Sequence, residues 1–416
     1  MSTTQTTTQT IDRKVPGKLS FLDDFFRSIR GPAFSVTYWD GSQSIYGDGR
    51  PEFSIEFTKE PGLMEILASP SLFFGEAYMR EEINISGSYP AIARALNAAG
   101  NAQSPSLTKK MVSKGLSTLS SAVRSLARQK QDIAAHYDLG NDFFALWLDK
   151  PTTSYSCAYF RDEDDSLEAA QQQKIDLILR KLRLEKGMRL LDIGCGWGGL
   201  SVGAAKNYGA EVTAITLSEE QAAAVQRRLE EQGLSDTCEV RLCNYLELDE
   251  RQPFDRVVSV GMFEHVGKEN YPDYFAKVRA LLQSGGLSLL HTLTKNKAGE
   301  TDPWIAKRIF PGGRIPAVTE VIEQMPEHGF HLVHAESLRR HYVRTLNAWY
   351  DNFSKPEVVE KVRSMFDQAF VRMWALYLRM SSAFLAIGEL DVHQFVFTKG
   401  ASDALPMTLE GVYARK

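Results

Sequence analysis

The chain is poor in the features that would tie it to an oxidising compartment or a membrane span. Its four cysteines, Cys157, Cys195, Cys238 and Cys243, form neither a disulfide framework nor a CxxC metal spacing, so free thiols in a reducing compartment are expected. No run of about 18 apolar residues occurs, and the opening MSTTQTTTQT has no apolar core of the kind a signal peptide needs. A cytoplasmic protein is therefore expected. There is no excess of positive charge either: the net charge of -4 argues against a nucleic-acid partner for the chain as a whole. Zinc-type motifs such as HExxH are also missing, and no metal is expected. What is present is a 416-residue chain with 43% hydrophobic residues, enough to bury two or three cores.

Residues 1–18 are Thr/Gln-rich without a hydrophobic period and predict a disordered tail. From Phe34, β-branched and aromatic residues flank Asp40-Gly41, and PEFSIEF at 51–57 alternates like a third strand. Helix-like stretches follow, so residues 19–100 predict a small α+β domain that binds or covers. Residues 101–131 carry Lys109, Lys110, Lys114, Arg124, Arg128 and Lys130 with no acid among them, beside Leu116, Leu119, Val123 and Leu126 at helical spacing. Such a segment is either a solvated linker or a basic surface for anionic lipid, where each charge is worth about 1 kcal/mol.

Beyond residue 132, strands and helices alternate, which predicts a parallel, doubly wound sheet that binds its ligand beyond the carboxyl ends of the strands. The stretch LLDIGCGWGGL, Leu190 to Leu200, reads as a strand, a glycine turn and a helix, and so as a nucleotide site. The second strand ends in Thr216-Leu217-Ser218, with Gln221 where a dinucleotide-binding protein would usually place an acid; hydroxyls and an amide could still hold a ribose. The third ends at Asn244-Tyr245, placed for an adenine edge. The fourth runs into GMFEHVG and the fifth into LLHTL, bringing Glu264, His265 and His291 to the cleft mouth. A carboxylate and an imidazole there can bind a small polar group or shuttle a proton, although a single strand-end histidine is more often structural. Neighbours in sequence point different ways, which favours Glu264 over His265 as the residue facing His291. An insertion at about 295–385, rich in Phe, Met, Trp and Leu, is expected to be core or the lining of a long apolar pocket.

Taken in order, HYDLGNDFF, YSCAYF, LLDIGCGWGGL, TLSEEQ, VSVGMFEHVGKENY, LLHTL, DPWI with IFPGGRIP, and TLNAWY resemble the cyclopropane-fatty-acid synthase family of S-adenosylmethionine-dependent methyltransferases. The resemblance runs from about residue 130 to 400, and 19–100 resembles the small N-terminal domain of the bacterial phospholipid-modifying members. It implies a Rossmann-like class I methyltransferase sheet over 132–416. It also implies methyl transfer from S-adenosylmethionine to the cis double bond of an unsaturated acyl chain in membrane phospholipid. A bound bicarbonate would then deprotonate the carbocation and close a cyclopropane ring. The positions matching the bicarbonate site are Cys157, Glu264, His291, Tyr350 and the backbone of Leu293. Those matching the cofactor site are Tyr137, Tyr155, Ser156, Gly194, Gly196, Trp197, Gly198, Thr216, Ser218, Gln221 and Asn244. Asn244 stands where bacterial relatives carry an acid and Leu293 where they carry Ile; an amide oxygen still accepts, and a backbone contact survives the second change. Peripheral association with the inner face of the membrane follows from a phospholipid substrate, and a homodimer is compatible with the resemblance. The same motifs fit a methylene- or methyl-branched product, a soluble substrate, or a lipid-binding protein without catalysis, although four polar groups in an apolar cleft argue against the last.

Overall fold

The computed structural model describes residues 17–102, 139–402 and 405–414. Tyr137, residues 103–131 of the basic segment and nearly all of the expected N-terminal tail lie outside the described residues.

The N-terminal part is a four-stranded sheet in the order β2-β1-β3-β4, with β1 Phe34–Thr37, β2 Gln43–Tyr46, β3 Phe53–Phe57 and β4 Ile83–Gly87. The Asp40-Gly41 turn joins β1 to β2 as an antiparallel pair, as its flanking residues predict, while β3 runs parallel to β1. Stacked rings fill its core: Phe34 lies on Phe53 with centroids 4.9 Å apart. The helix Pro70–Met79 ties this unit to the helix Pro303–Arg308 through a forked ion pair, Arg308 Nε and Nη2 donating to Glu76 at 2.7 and 2.6 Å.

The larger sheet has seven strands in the order β10-β11-β9-β8-β5-β6-β7. They are β5 Arg189–Ile193, β6 Glu211–Thr216, β7 Cys238–Leu242, β8 Phe254–Val260, β9 Leu282–Lys295, β10 Phe330–Ser337 and β11 Leu390–Lys399. β5 to β9 are parallel, whereas β11 enters antiparallel between β9 and β10. Both faces are buried, which is why β5 reads as a continuous apolar run: Leu190 packs into one core and Leu191 into the other. The chain steps outward from β5 to β7 and then returns to β8 on the opposite side. Strand order therefore reverses between β5 and β8, and the carboxyl ends there open into a crevice.

One expectation changes. His291 is not at a strand end: β9 continues to Lys295 because β11 pairs with it past the last residue of β8, and His291 sits opposite Val260 and Gln394. Within the 295–385 insertion, the Asp367 side chain accepts from Phe370 N at 2.7 Å and starts the helix Gln368–Ala386. That helix is packed between the helix Arg339–Phe353 and the helices Pro70–Met79 and Tyr89–Ala102, so Trp374 and Leu378 are core residues.

Candidate functional site

Beyond β5 the chain turns through three residues in the left-handed region, Gly194, Gly196 and Gly198, with φ of 79°, 56° and 79°. The N–H groups of Gly194 and Cys195 both donate to Ile215 O at 3.0 Å, fastening the turn to the end of β6. A methyl on Gly194 would lie 2.9 Å from Met262, whereas one on Gly196 would project into open space. Gly196 is thus the point where the backbone lies bare beneath the crevice. The helix Gly199–Tyr208 starts at once, leaving its first N–H groups close to the turn.

Above this turn is a cavity of about 1090 Å³, counting its open mouth, walled by Tyr155, Ser156, Gly194, Gly196, Thr216, Gln221 and Asn244 among others. Thr216 Oγ1 donates to Gln221 Oε1 at 2.8 Å, so these two expected cofactor contacts form one unit. Tyr155 Oη and Tyr377 Oη are 2.9 Å apart, which fixes the tyrosine at the rim. Asn244 Oδ1 already accepts from Leu246 N at 3.0 Å as a helix cap, leaving one acceptor position for a ligand.

Two expected cofactor residues, Gly198 and Ser218, do not line the cavity, whereas Trp197 does and also packs elsewhere. The Trp197 indole turns into the aromatic cluster, 5.0 Å from Phe144 between centroids, and its Nε1 donates to Asn141 Oδ1 at 2.6 Å. Gly198 is outside the cavity wall; a methyl there would meet Val225 at 3.0 Å. Ser218 is buried, and its Oγ accepts from Gln221 N at 3.3 Å as a helix cap.

None of the residues expected at the reaction centre lines the cofactor cavity. Glu264 occupies the short helix Phe263–His265 after β8, and its Oε1 accepts the N–H of Leu293 at 2.6 Å. Its Oε2 is buried and has no hydrogen-bond partner among the described residues. Burial pushes this carboxyl above the usual range, partly opposed by the Leu293 N–H. His265, by contrast, faces the cavity, so the two neighbours do point different ways. The IFPGGRIP loop holds this turn: Arg314 N donates to Glu264 O at 2.8 Å, and its guanidinium forks onto Glu320 at 2.9 Å twice.

His291 is fully buried and burial, reinforced by the Lys174 and Lys181 charges, lowers its pKa to about 3, so the ring is neutral. Leu293, two residues on along the same face of β9, packs against Cys157, Leu338 and Val392. Burial raises the Cys157 thiol, which stays protonated and lies 3.2 Å from Ala158 O. Tyr350, on the helix Arg339–Phe353, is gripped by Arg379, which lies 4.8 Å over its ring.

Sequence reasoning missed Lys174. It lines the cavity from the helix Leu167–Lys181 and donates to Ser156 Oγ at 3.0 Å and Ser154 Oγ at 3.2 Å. Burial lowers its pKa to about 8, against the pull of Asp149, Cys157 and Asp192. Asp192 is raised by burial to about 6 while its Oδ2 accepts from Ser201 Oγ at 2.6 Å. The available signal is polar Gln171, Lys174 and Lys181 on the face that also carries Leu167 and Ile178, a stripe buried throughout.

A doubly wound seven-stranded sheet, an antiparallel last strand and a glycine cradle at the switch point define a class I methyltransferase fold, and the lining suits S-adenosylmethionine: bare backbone at Gly196, with hydroxyls and amides at the ends of β6 and β7. The family model described as mycolic acid cyclopropane synthetase matches residues 124–395, and the chain belongs to that family. It is an S-adenosylmethionine-dependent methyltransferase. Residues 21–110 match a further model, a domain of unknown function. A probable fatty acid methyltransferase of Pseudomonas putida is 35% identical over 95% of this chain and 100% of its own length. The cyclopropane-fatty-acyl-phospholipid synthase of Escherichia coli K12 is 42% identical over 65% of this chain and 68% of its own. Among solved structures, the mycolic acid cyclopropane synthase CmaA1 complexed with SAH and CTAB is 37% identical, with a TM-score of 0.60 over 65% of this chain and 98% of that one.

Proposed function

We propose that this enzyme methylates the cis double bond of an unsaturated acyl chain in membrane phospholipid and closes a cyclopropane ring, with bicarbonate as the base. S-adenosylmethionine supplies the electrophilic methyl group, held by Gly194, Gly196, Thr216, Gln221, Asn244, Tyr155 and Ser156. The observation that carries the reading is the Glu264 carboxyl, next in sequence to the cavity-lining His265, with one oxygen fixed by the Leu293 N–H and the other buried without a partner among the described residues. A buried polar oxygen left unpaired costs about 1–3 kcal/mol, and the O–H of a bicarbonate would relieve that cost. The neutral His291 ring, the protonated Cys157 thiol and the Tyr350 phenol can donate to the same small anion. None is a strong nucleophile in these states, which suits a site that must spare a carbocation. Taking the proton from the bridging methyl group gives the ring and leaves carbonic acid.

The matching full-length relative from Pseudomonas putida is named a fatty acid methyltransferase, which supports a second reading with the same methyl transfer and a branched product. Purified protein, unsaturated phospholipid vesicles and methyl-labelled S-adenosylmethionine test both. Label in lipid with upfield cyclopropane proton resonances and dependence on bicarbonate is expected. Vinyl or branched-methyl resonances would favour the second reading, and unlabelled lipid would sink both. Peripheral membrane attachment belongs to the same proposal: no helix among the described residues is long and apolar enough to cross a membrane. Gln in place of Lys109, Lys110, Lys114, Arg124 and Arg128 should weaken vesicle binding, and unchanged binding would remove the electrostatic part of the reading.

A further inference from the structure

We propose that Lys181 and Gln394 are positioning residues that decide which ring nitrogen of His291 carries its proton, leaving Nε2–H as the free donor of the ring. Gln394 stands directly opposite His291 in the β11–β9 register, so the two side chains emerge on the same face as a cross-strand pair. Lys181 reaches the pair from the helix Leu167–Lys181, its Nζ 2.7 Å from Gln394 Oε1. The amide Nε2 of Gln394 is 3.2 Å from His291 Nδ1. All three side chains are buried.

The direction of this chain follows from donor chemistry alone. A lysine ammonium has donors and no acceptor, so the amide atom facing it must be the oxygen. The amide nitrogen then faces His291 and can only donate, so Nδ1 must present its lone pair. A ring with its lone pair on Nδ1 carries its proton on Nε2. An imidazolium would set N–H against N–H at Nδ1, and the positive charges of Lys174 and Lys181 also oppose it. Nε2 makes no hydrogen bond to any described residue, whereas Lys181 is anchored at its other side by the carboxylate of Glu336. Tyr413 Oη donates to that carboxylate at 3.0 Å, and the Tyr413 ring lies 5.9 Å from Lys181 Nζ. The chain Tyr413, Glu336, Lys181, Gln394, His291 therefore runs from the surface to the reaction centre with every donor direction fixed.

The catalytic consequence rests on the reading of His291 as a donor to a bound anion; the tautomer does not. Ring-15N spectroscopy of the full-length enzyme, with His291 assigned through His291→Asn, reads the tautomer without any substrate. The Nε2–H pattern is expected from pH 5 to 8. Gln394→Glu keeps the shape but offers an acceptor to both neighbours, and should move the proton to Nδ1 or charge the ring. The turnover of labelled lipid should then fall by tenfold or more, with S-adenosylmethionine affinity within twofold of the parent. Lys181→Met frees the amide to rotate, should yield mixed tautomers with a smaller loss, and serves if the first variant does not fold. An Nδ1–H ring in the parent enzyme, a tautomer unmoved by both variants, or a moved tautomer with unchanged turnover would overturn the assignment. Unlabelled lipid with the parent enzyme would instead defeat the proposed activity and leave the tautomer result standing.

Discussion

Lys174 Nζ lies 3.0 Å from Ser156 Oγ, so a lysine without an ion pair among the described residues holds the segment that closes one wall of the cofactor cavity. Its folded pKa of about 8 is below the ordinary 10.5, so between those values the unfolded chain binds more protons than the folded one. Stability gains with pH across that window. Lys174→Met should abolish this gain and change Tm little at pH 7, because loss of two hydrogen bonds is offset by removal of a buried charge. Calorimetry from pH 7 to 10.5 checks it, and S-adenosylmethionine Kd should rise about tenfold as the Ser154–Ser156 wall loosens, a difference of about 1.4 kcal/mol.

The opposite ordering is expected at Glu264. Glu264→Gln keeps the oxygen that accepts from Leu293 but cannot serve as a carboxylate toward a bound anion. Turnover should drop about 10²-fold or more, in the range of a lost proton-handling group, with cofactor affinity unchanged. Isothermal titration beside a labelled-lipid assay separates the two quantities; equal loss of both would show that Glu264 supports the cofactor instead.

His291 predicts an acid-side effect. Its folded pKa of about 3 lies below the unfolded 6.5, so the unfolded state takes up the proton first as pH falls through that window. Stability is therefore complete above 6.5 and declines toward pH 3. His291→Asn should flatten this part of the profile in urea melts at pH 4, 5 and 6.

The glycine turn offers a contrast between neighbours. Gly194 and Gly196 both have positive φ, so alanine at either costs about 1–2 kcal/mol of backbone strain. Gly194→Ala also drives a methyl to 2.9 Å from Met262 and should be the less stable variant. Gly196→Ala meets nothing in the protein and should lose more cofactor affinity than stability, as read by thermal melts with and without S-adenosylmethionine.

Much of this architecture is written locally. Alternating apolar strands and amphipathic helices predict the doubly wound sheet, the Asp40-Gly41 turn predicts its hairpin, and four glycines after an apolar strand predict the cradle. Residues whose roles depend on distant pairing are another matter. Gln394 acquires its partner through a register that joins positions 103 apart, and nothing beside it in sequence marks it. Lys174 and Lys181 leave a trace, since they break an apolar stripe, but that trace does not say that one lines the cavity and the other meets Gln394. Ser218 sits in a motif position, yet a helix cap takes up its side chain, while Trp197 lines the cavity and also packs 5.0 Å from Phe144.

The place of β11 sets an order on assembly. β11, the last of the described strands in chain order, is not an edge strand; it slots between β9 and β10 and brings Gln394 to His291. Until it arrives, β9 is an open edge and the histidine ring has no neighbour to fix its proton. Such late, long-range insertion is slow by nature. A nascent chain halted before residue 390 would hold a formed cofactor cradle beside an exposed, pairing-competent strand, a state suited to capture by chaperones and liable to aggregate. Competence for chemistry would then be among the final properties this chain acquires.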